Sequence, residues 1–98
     1  MIYLTQLVYL HPGKEAVFHE FEDVAIPLIA KYRGVLMLRL RPSAASIVAS
    51  NVEVPYEIHL VSFESADDFA RFAEDDERRK FLHLKNESVR ATLLIKGA

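Results

Sequence analysis

The chain has 98 residues, 12 Lys and Arg against 14 Asp and Glu for a formal net charge of −2, and no cysteine. Folded domains run from about 50 to 250 residues, so a single domain over residues 1–98 is expected, with no room for a second catalytic domain. The charge balance gives no bulk attraction for phosphate backbones or anionic membranes, so neither nucleic acid nor a membrane is an expected partner. Without cysteine, disulfides, thiolate nucleophiles and zinc–thiolate sites are all excluded.

Hydrophobic residues make up 51% of the chain and charged residues 27%, which rules out a disordered or fibrous protein. At this size folding removes about 65% of the unfolded surface from water, a thin margin that favours a partner subunit. The opening stretch MIYLTQLVYL has no basic flank and is interrupted by Thr5 and Gln6, so it reads as a strand and not as a signal peptide. No run of 18 apolar residues occurs. With the lack of cysteine, these features make a cytoplasmic location the expectation.

The first strand spans about Ile2 to Leu10 and is stopped by His11-Pro12-Gly13. From Lys14 to Tyr32, residues Val17, Phe21, Val24, Ala25, Leu28 and Tyr32 fall on one helical face, with Glu15, Glu20, Glu22 and Asp23 largely opposite. Pro27 is expected to kink this helix near Val24 to Ile26 or to restart it, and Gly34 to stop it. Val35 to Arg41 alternates as a second strand, and Ser43 to Val54 reads as a long hairpin connection. Tyr56 to Phe63 forms a third strand. A short helix then follows Ser65, capped in the manner of a capping box with Asp68. Asp75 and Asp76 recap a further helix over about 77–86, whose Arg78, Arg79 and Lys80 are expected to be solvated. Ser88 to Ile95 is the fourth strand.

This order gives a ferredoxin-like α+β domain, βαββαβ, with a four-stranded antiparallel sheet. Two helices cover one face only. The strands are apolar on both sides, so the bare face is expected to meet the same face of a second copy, making a homodimer.

Several segments resemble the dimeric α/β-barrel superfamily, and within it the small stand-alone families of unknown function. They are MIYLTQLVYL, the Pro12-Gly13-Lys14 lead into the first helix, Tyr32-Arg33-Gly34, PYEIHLVSFES, DDERRKFLHL and the closing Ile95-Lys96-Gly97. The resemblance implies a homodimer whose two sheets face each other as a barrel, helices outside, with a pocket between sheet and helices in the enzyme members. Those members include cofactor-free monooxygenases acting on quinol-like aromatics, haem-degrading proteins and small isomerases. Their pockets commonly use Asn and Trp. This chain has no Trp, and its Asn residues are at 51 and 86 only, so no catalytic residue carries over.

The polar residues on otherwise apolar strands are the leads to chemistry, because a charge facing a core is costly unless paired or wet. If the second and third strands pair with residue numbers summing to 98, Arg41 faces Glu57 and Arg39 faces His59, while Met37 faces Val61 and Val35 faces Phe63. One reading is a structural ion pair beside the hairpin mouth. In the other, Arg39, Arg41 and Glu57 bind a ligand with an anionic group, and His59 is the catalytic residue that transfers a proton near neutral pH. Tyr9 and Tyr56 either line the pocket through their hydroxyls or are core residues with a wet tip.

Histidines 11, 19, 59 and 83 form no metal signature. His19 with Asp23 and His83 with Glu87 have i, i+4 spacing, but two ligands do not make a site, so no metal and no cofactor is expected. Phe18, Phe21, Phe69, Phe72 and Phe81 form the core beneath the helices or line a cleft for a flat apolar ligand. The functional expectation is a small-molecule-binding protein with its pocket between sheet and helices. The alternatives are a cofactor-independent monooxygenase- or isomerase-like enzyme on a small aromatic or acidic metabolite, and a structural subunit without ligand. A cavity of several hundred Å³ with His59 or an arginine in its wall would separate the first two from the third.

Overall fold

In the computed structural model, which describes residues 1–97, the elements follow the expected order. They are β1 (Ile2–Leu10), α1 (Glu15–Leu28), β2 (Gly34–Leu40), β3 (Glu57–Phe63), α2 (Ala66–Ala73), α3 (Asp76–Lys80), α4 (Leu82–Ser88) and β4 (Val89–Gly97). The strands lie in the order β2-β3-β1-β4, every neighbouring pair antiparallel. This is the ferredoxin-like sheet. No helix among the described residues is long and apolar enough to cross a membrane.

Alternation along β1 and β3 sends Leu4, Val8, His59 and Phe63 beneath the helices, where each is buried. Leu4, Ile29 and Phe63 form the centre of the core, with Phe69 and Phe72 tilted against the Phe63 ring at centroid distances of 5.5 and 5.6 Å. That close packing belongs to the end of the sheet where α2 lies.

Helix α1 presents a different face from the expected one. Phe18, Phe21, Glu22 and Ala25 are its buried residues, so the inward stripe is rotated toward Phe18 and carries Glu22 with it. Pro27 neither ends nor restarts the helix. It sits in the last turn, so the hydrogen bond it cannot donate to Asp23 is lost close to the end of the helix at Leu28. The chain then tightens into a 3-10 turn over Ala30–Tyr32.

The stop after this turn is Arg33, and not Gly34. Arg33 takes the left-handed conformation at φ 60, and its guanidinium is held by Asp68 at 2.8 Å and Glu64 at 2.9 Å. Gly34 is required for a different reason: a Cβ there would stand 2.6 Å from both Ile29 Cγ2 and Phe63 Cε1.

The register between β2 and β3 follows the sum of 98 only from Leu38 onward, with Arg39 opposite His59 and Leu40 opposite Ile58. A bulge between Leu36 and Leu38 shifts the rest, so Val35 pairs with Ser62 and Gly34 with Phe63, and the expected Val35–Phe63 and Met37–Val61 pairs do not form.

At the start of α2, Ser65 Oγ accepts from the Asp68 N–H at 3.2 Å and donates to the Asp68 carboxylate at 2.9 Å. The acid thus answers the serine hydroxyl and not its backbone. The helix expected over 77–86 is two helices, α3 and α4, divided at Phe81. Asp75 caps α3 by accepting from the Glu77 and Arg78 N–H groups at 2.9 and 3.0 Å. It also accepts from Lys31 Nζ at 3.0 Å and from the Tyr32 hydroxyl, and the Tyr32 bond above all holds its carboxyl far below the usual range. Asp75 thereby ties the turn after α1 to the start of α3.

Candidate functional site

Residue alternation brings Arg39, Arg41, Glu57 and His59 to the helix-covered face of the sheet, where they meet as one cluster. Glu57 is fully buried at its centre. Arg41 Nε lies 2.9 Å from Glu57 Oε1, Arg39 Nε lies 3.0 Å from Glu57 Oε2, and His59 Nε2 hydrogen-bonds to the same Oε2. The Arg39 contact is an ion pair whose angle falls short of a hydrogen bond. Burial alone would push the Glu57 carboxyl up, but the His59, Arg39 and Arg41 contacts outweigh it and bring the pKa down to about 2. Glu57 is therefore a fixed anion. It takes the Nε2–H of His59 and so sets the orientation of the imidazole.

One member of the cluster was placed on the opposite helix face by the sequence pattern. Glu22 of α1 is 8% exposed, and its Oε2 stands 3.9 Å from His59 Nε2. Burial raises its pKa above the usual carboxylate range, against the pull of His59 and Arg39. Glu22 and Glu57 thus flank one histidine with opposite tendencies, the first toward the neutral acid and the second toward the anion. The phase of Phe18, Glu22, Ala25 and Ile29, at i, i+4, i+7 and i+11, is the signal in the sequence that carries it inward.

Glu22, Glu57 and His59 also have ligand atoms within 4.8 Å of one another, a spacing compatible with a metal ion. The donor set does not fit one. Both Glu57 oxygens are engaged by guanidinium groups, and a divalent cation would have to displace Arg39 and Arg41 or share their carboxylate.

Tyr56 stands at the edge of the cluster, its hydroxyl 2.6 Å from His19 Nε2, with the Arg41 guanidinium 5.6 Å from its ring centre. Tyr9 is elsewhere. It alternates with Val8 onto the uncovered face of the sheet, and its hydroxyl donates to the Glu53 carbonyl at 2.9 Å. The connection from Ser43 to Val54 holds a 3-10 turn over Ala44–Ser46 and is anchored through Glu53, which ion-pairs with Arg90.

Between the sheet and the helices lies a cavity of about 520 Å³. Its floor comes from β1, β3 and β4 through Leu4, Gln6, Val8, His59, Thr92 and Leu94. Phe18, Phe21, Phe69 and Phe72 stand in its walls beside aliphatic side chains, so these four are both core and cavity lining, whereas Phe81 does not line it. Glu22 and His59 are in the wall, while Glu57, Arg39 and Arg41 stand behind them and border a second cleft of about 340 Å³. Arg78 and Lys85 also line the cavity. Arg78 was expected to be solvated. The break at Phe81 turns α3 so that its guanidinium lies over Phe21 and Phe72, 5.6 and 5.3 Å from their ring centres.

Sequence comparison returns no matching family profile and no matching curated protein. Solved structures do match across the whole chain. A protein of unknown function from Rhodopseudomonas palustris superposes with a TM-score of 0.80 at 14% identity, covering 98% of this chain and 79% of that one. A NIPSNAP family protein of unknown function from Agrobacterium tumefaciens superposes at 0.71 with 19% identity, covering 99% and 86%. A protein from Bacteroides fragilis described as dimeric, of unknown function and ferredoxin-like, superposes at 0.68 with 16% identity, covering 98% and 93%. At such identities the likeness establishes the fold, and the chain has the ferredoxin-like fold of these small stand-alone proteins.

Proposed function

We propose that the protein binds a small, mainly apolar molecule in the cavity between sheet and helices, as a homodimer packed through the uncovered sheet face. The observation that carries this reading is the cavity itself: about 520 Å³, mostly aromatic and aliphatic, with a few convergent polar groups in its wall. Well-packed interiors keep few voids larger than a water molecule, so a purely structural subunit gives no account of such a space. For the dimer, support comes from the exposed apolar residues of the bare face, Val35, Leu38, Leu93 and Ile95, and from the dimeric description of the Bacteroides fragilis neighbour.

The test is calorimetric titration with 2-naphthamide, a flat neutral probe, against the wild-type protein and Ala25→Leu. Ala25 is buried in the cavity wall, so the added side chain fills ligand space. Saturable one-to-one binding that Ala25→Leu weakens at least tenfold is the expected result. Binding that is absent, or untouched by the substitution, removes the proposal.

A second reading, a cofactor-independent isomerase-like enzyme, is favoured by the 3.9 Å approach of Glu22 to His59 in that same wall. A carboxyl held toward neutrality beside an oriented imidazole is a suitable pair for moving a proton on a bound ligand. Solvent deuterium entering an acidic C–H position of a bound ketone, followed by NMR and lost in His59→Gln, is the outcome this reading requires.

A further inference from the structure

Two cations line the cavity without a carboxylate in ion-pair contact. Among the described residues, no Asp or Glu oxygen lies within 4.0 Å of a side-chain nitrogen of Arg78 or Lys85. Arg78 Nη1 donates to the Ala73 carbonyl at 3.1 Å, which fixes the guanidinium, but its buried Nε has no partner. Glu22 is the single acidic residue of the cavity wall, and the side-chain nitrogen within 4.0 Å of its carboxylate is His59 Nε2. The wall therefore carries a net positive charge, concentrated where α3 and α4 meet it.

Unpaired charge in an apolar wall is costly, and the cost is recovered when an opposite charge arrives with the ligand. Burial lowers the pKa of both Arg78 and Lys85, and the more distant Glu22 carboxyl, with Asp75 beside Arg78, offsets it only in part. An arginine pinned by one nitrogen and stacked on Phe21 and Phe72 still offers a planar fork, the shape that matches a carboxylate. Lys85 adds a second, more mobile donor.

We infer that the ligand is an organic acid: a compact apolar or aromatic body seated among the phenylalanines, with a carboxylate held by Arg78 and Lys85. This deepens the small-molecule reading and rests on it. It also gives the cavity a direction, since the acid is drawn to the α3–α4 side.

The test compares 2-naphthoate with its neutral near-isostere 2-naphthamide, by calorimetric titration at pH 7 and low salt, on the wild type, Arg78→Met and Lys85→Met. Naphthoate is expected to bind at least tenfold more tightly than the amide, about 1.4 kcal/mol. Each substitution should reduce that preference severalfold, lowering naphthoate affinity by a larger factor than amide affinity. Equal affinities for the two probes on the wild type overturn the acid inference and leave the cavity reading standing. Binding of neither probe overturns both. A preference that survives intact in Lys85→Met and Arg78→Met also overturns it, because the acid is then recognised elsewhere. Should Arg78→Met fail to fold, the wild-type comparison and Lys85→Met still decide the question.

Discussion

Arg41 and Glu57 face one another across the mouth of the β2–β3 hairpin, Nε to Oε1 at 2.9 Å, yet they differ sharply in what surrounds them. The Arg41 side chain is 50% exposed, whereas that of Glu57 is 0% exposed and also holds Arg39 and His59. The pair is therefore asymmetric in energy. Glu57→Gln removes the anion that three groups share and is expected to lose about 3 kcal/mol of stability, in line with breaking a buried ion pair. Arg41→Met removes one half-wet partner and should cost roughly 1 kcal/mol or less. Urea denaturation with an unchanged m value would read both, and equal losses would contradict the asymmetry.

The same cluster fixes a pH response. Glu57 has its pKa lowered in the fold from the ordinary 4.5 to about 2. A carboxyl depressed by folding contributes stability that is complete above its unfolded pKa and is lost as protonation overtakes the folded value. Its contribution is thus present above about pH 4.5 and disappears as pH falls toward 2. Glu22 has the opposite sign, because burial raises its pKa. Its protonated form fits the fold better, so it favours folding below its unfolded pKa and opposes it once pH has risen through the folded value. Glu22→Gln is expected to raise the urea midpoint at pH 7 and to leave it unchanged at pH 3. A midpoint that falls at pH 7 would show that Glu22 is stabilised as an anion.

The convergence of Arg39, Arg41, Glu57 and His59 was legible in the sequence because strand alternation has a period of two and opposite charges matched at a single register. The bulge at Met37 was not legible, since the slip of one residue before Leu38 gives Val35 the uncharged Ser62 and Leu36 the apolar Val61 and leaves no charge mismatch behind. Glu22 was missed for a related reason. An apolar stripe through Val17, Phe21 and Val24 and one through Phe18, Phe21 and Ala25 differ by a fraction of a turn, and in the fold the second is chosen, with Phe18 stacked on the His59 ring. Arg78 depends on where the helix breaks, and Phe81 carries no Gly or Pro to announce that break.

Gly34 offers a test of packing separate from backbone freedom. Its φ needs no glycine, but an added methyl would meet Ile29 Cγ2 and Phe63 Cε1 at 2.6 Å and the Ile29 carbonyl oxygen at 2.9 Å. The Ile29 side chain can turn aside; the carbonyl cannot. Gly34→Ala is expected to lose about 2 kcal/mol, the usual range for overpacking a close-packed interior. Gly13 has open space around it and a φ of 77, so Gly13→Ala should cost only the left-handed penalty of about 1 kcal/mol. Thermal melts of the two variants would separate the mechanisms, because Gly34→Ala,Ile29→Ala should recover part of the clash whereas no neighbouring truncation rescues Gly13→Ala.

The uncovered sheet face gives the last prediction. Alternation places Thr5 and Leu7 of β1, Ile58 and Leu60 of β3, Leu38 and Leu40 of β2, and Leu93 and Ile95 of β4 on it, a surface with no charged side chain in that set. Leu38 and Leu93 are 49% and 48% exposed, so apolar area remains open on both outer strands. In a dimer packed through this face, a lysine at either position would bury an unpaired charge at a cost of several kcal/mol. In a monomer the same lysine would stay in water and shift stability by about 0.5 kcal/mol at most. Leu93→Lys is therefore expected to convert a sedimenting dimer into a folded monomer, while Glu20→Lys on the exposed side of α1 leaves the dimer intact. A wild-type chain that sediments as a monomer at micromolar concentration would sink the dimer, and the open apolar face would then call for a different partner.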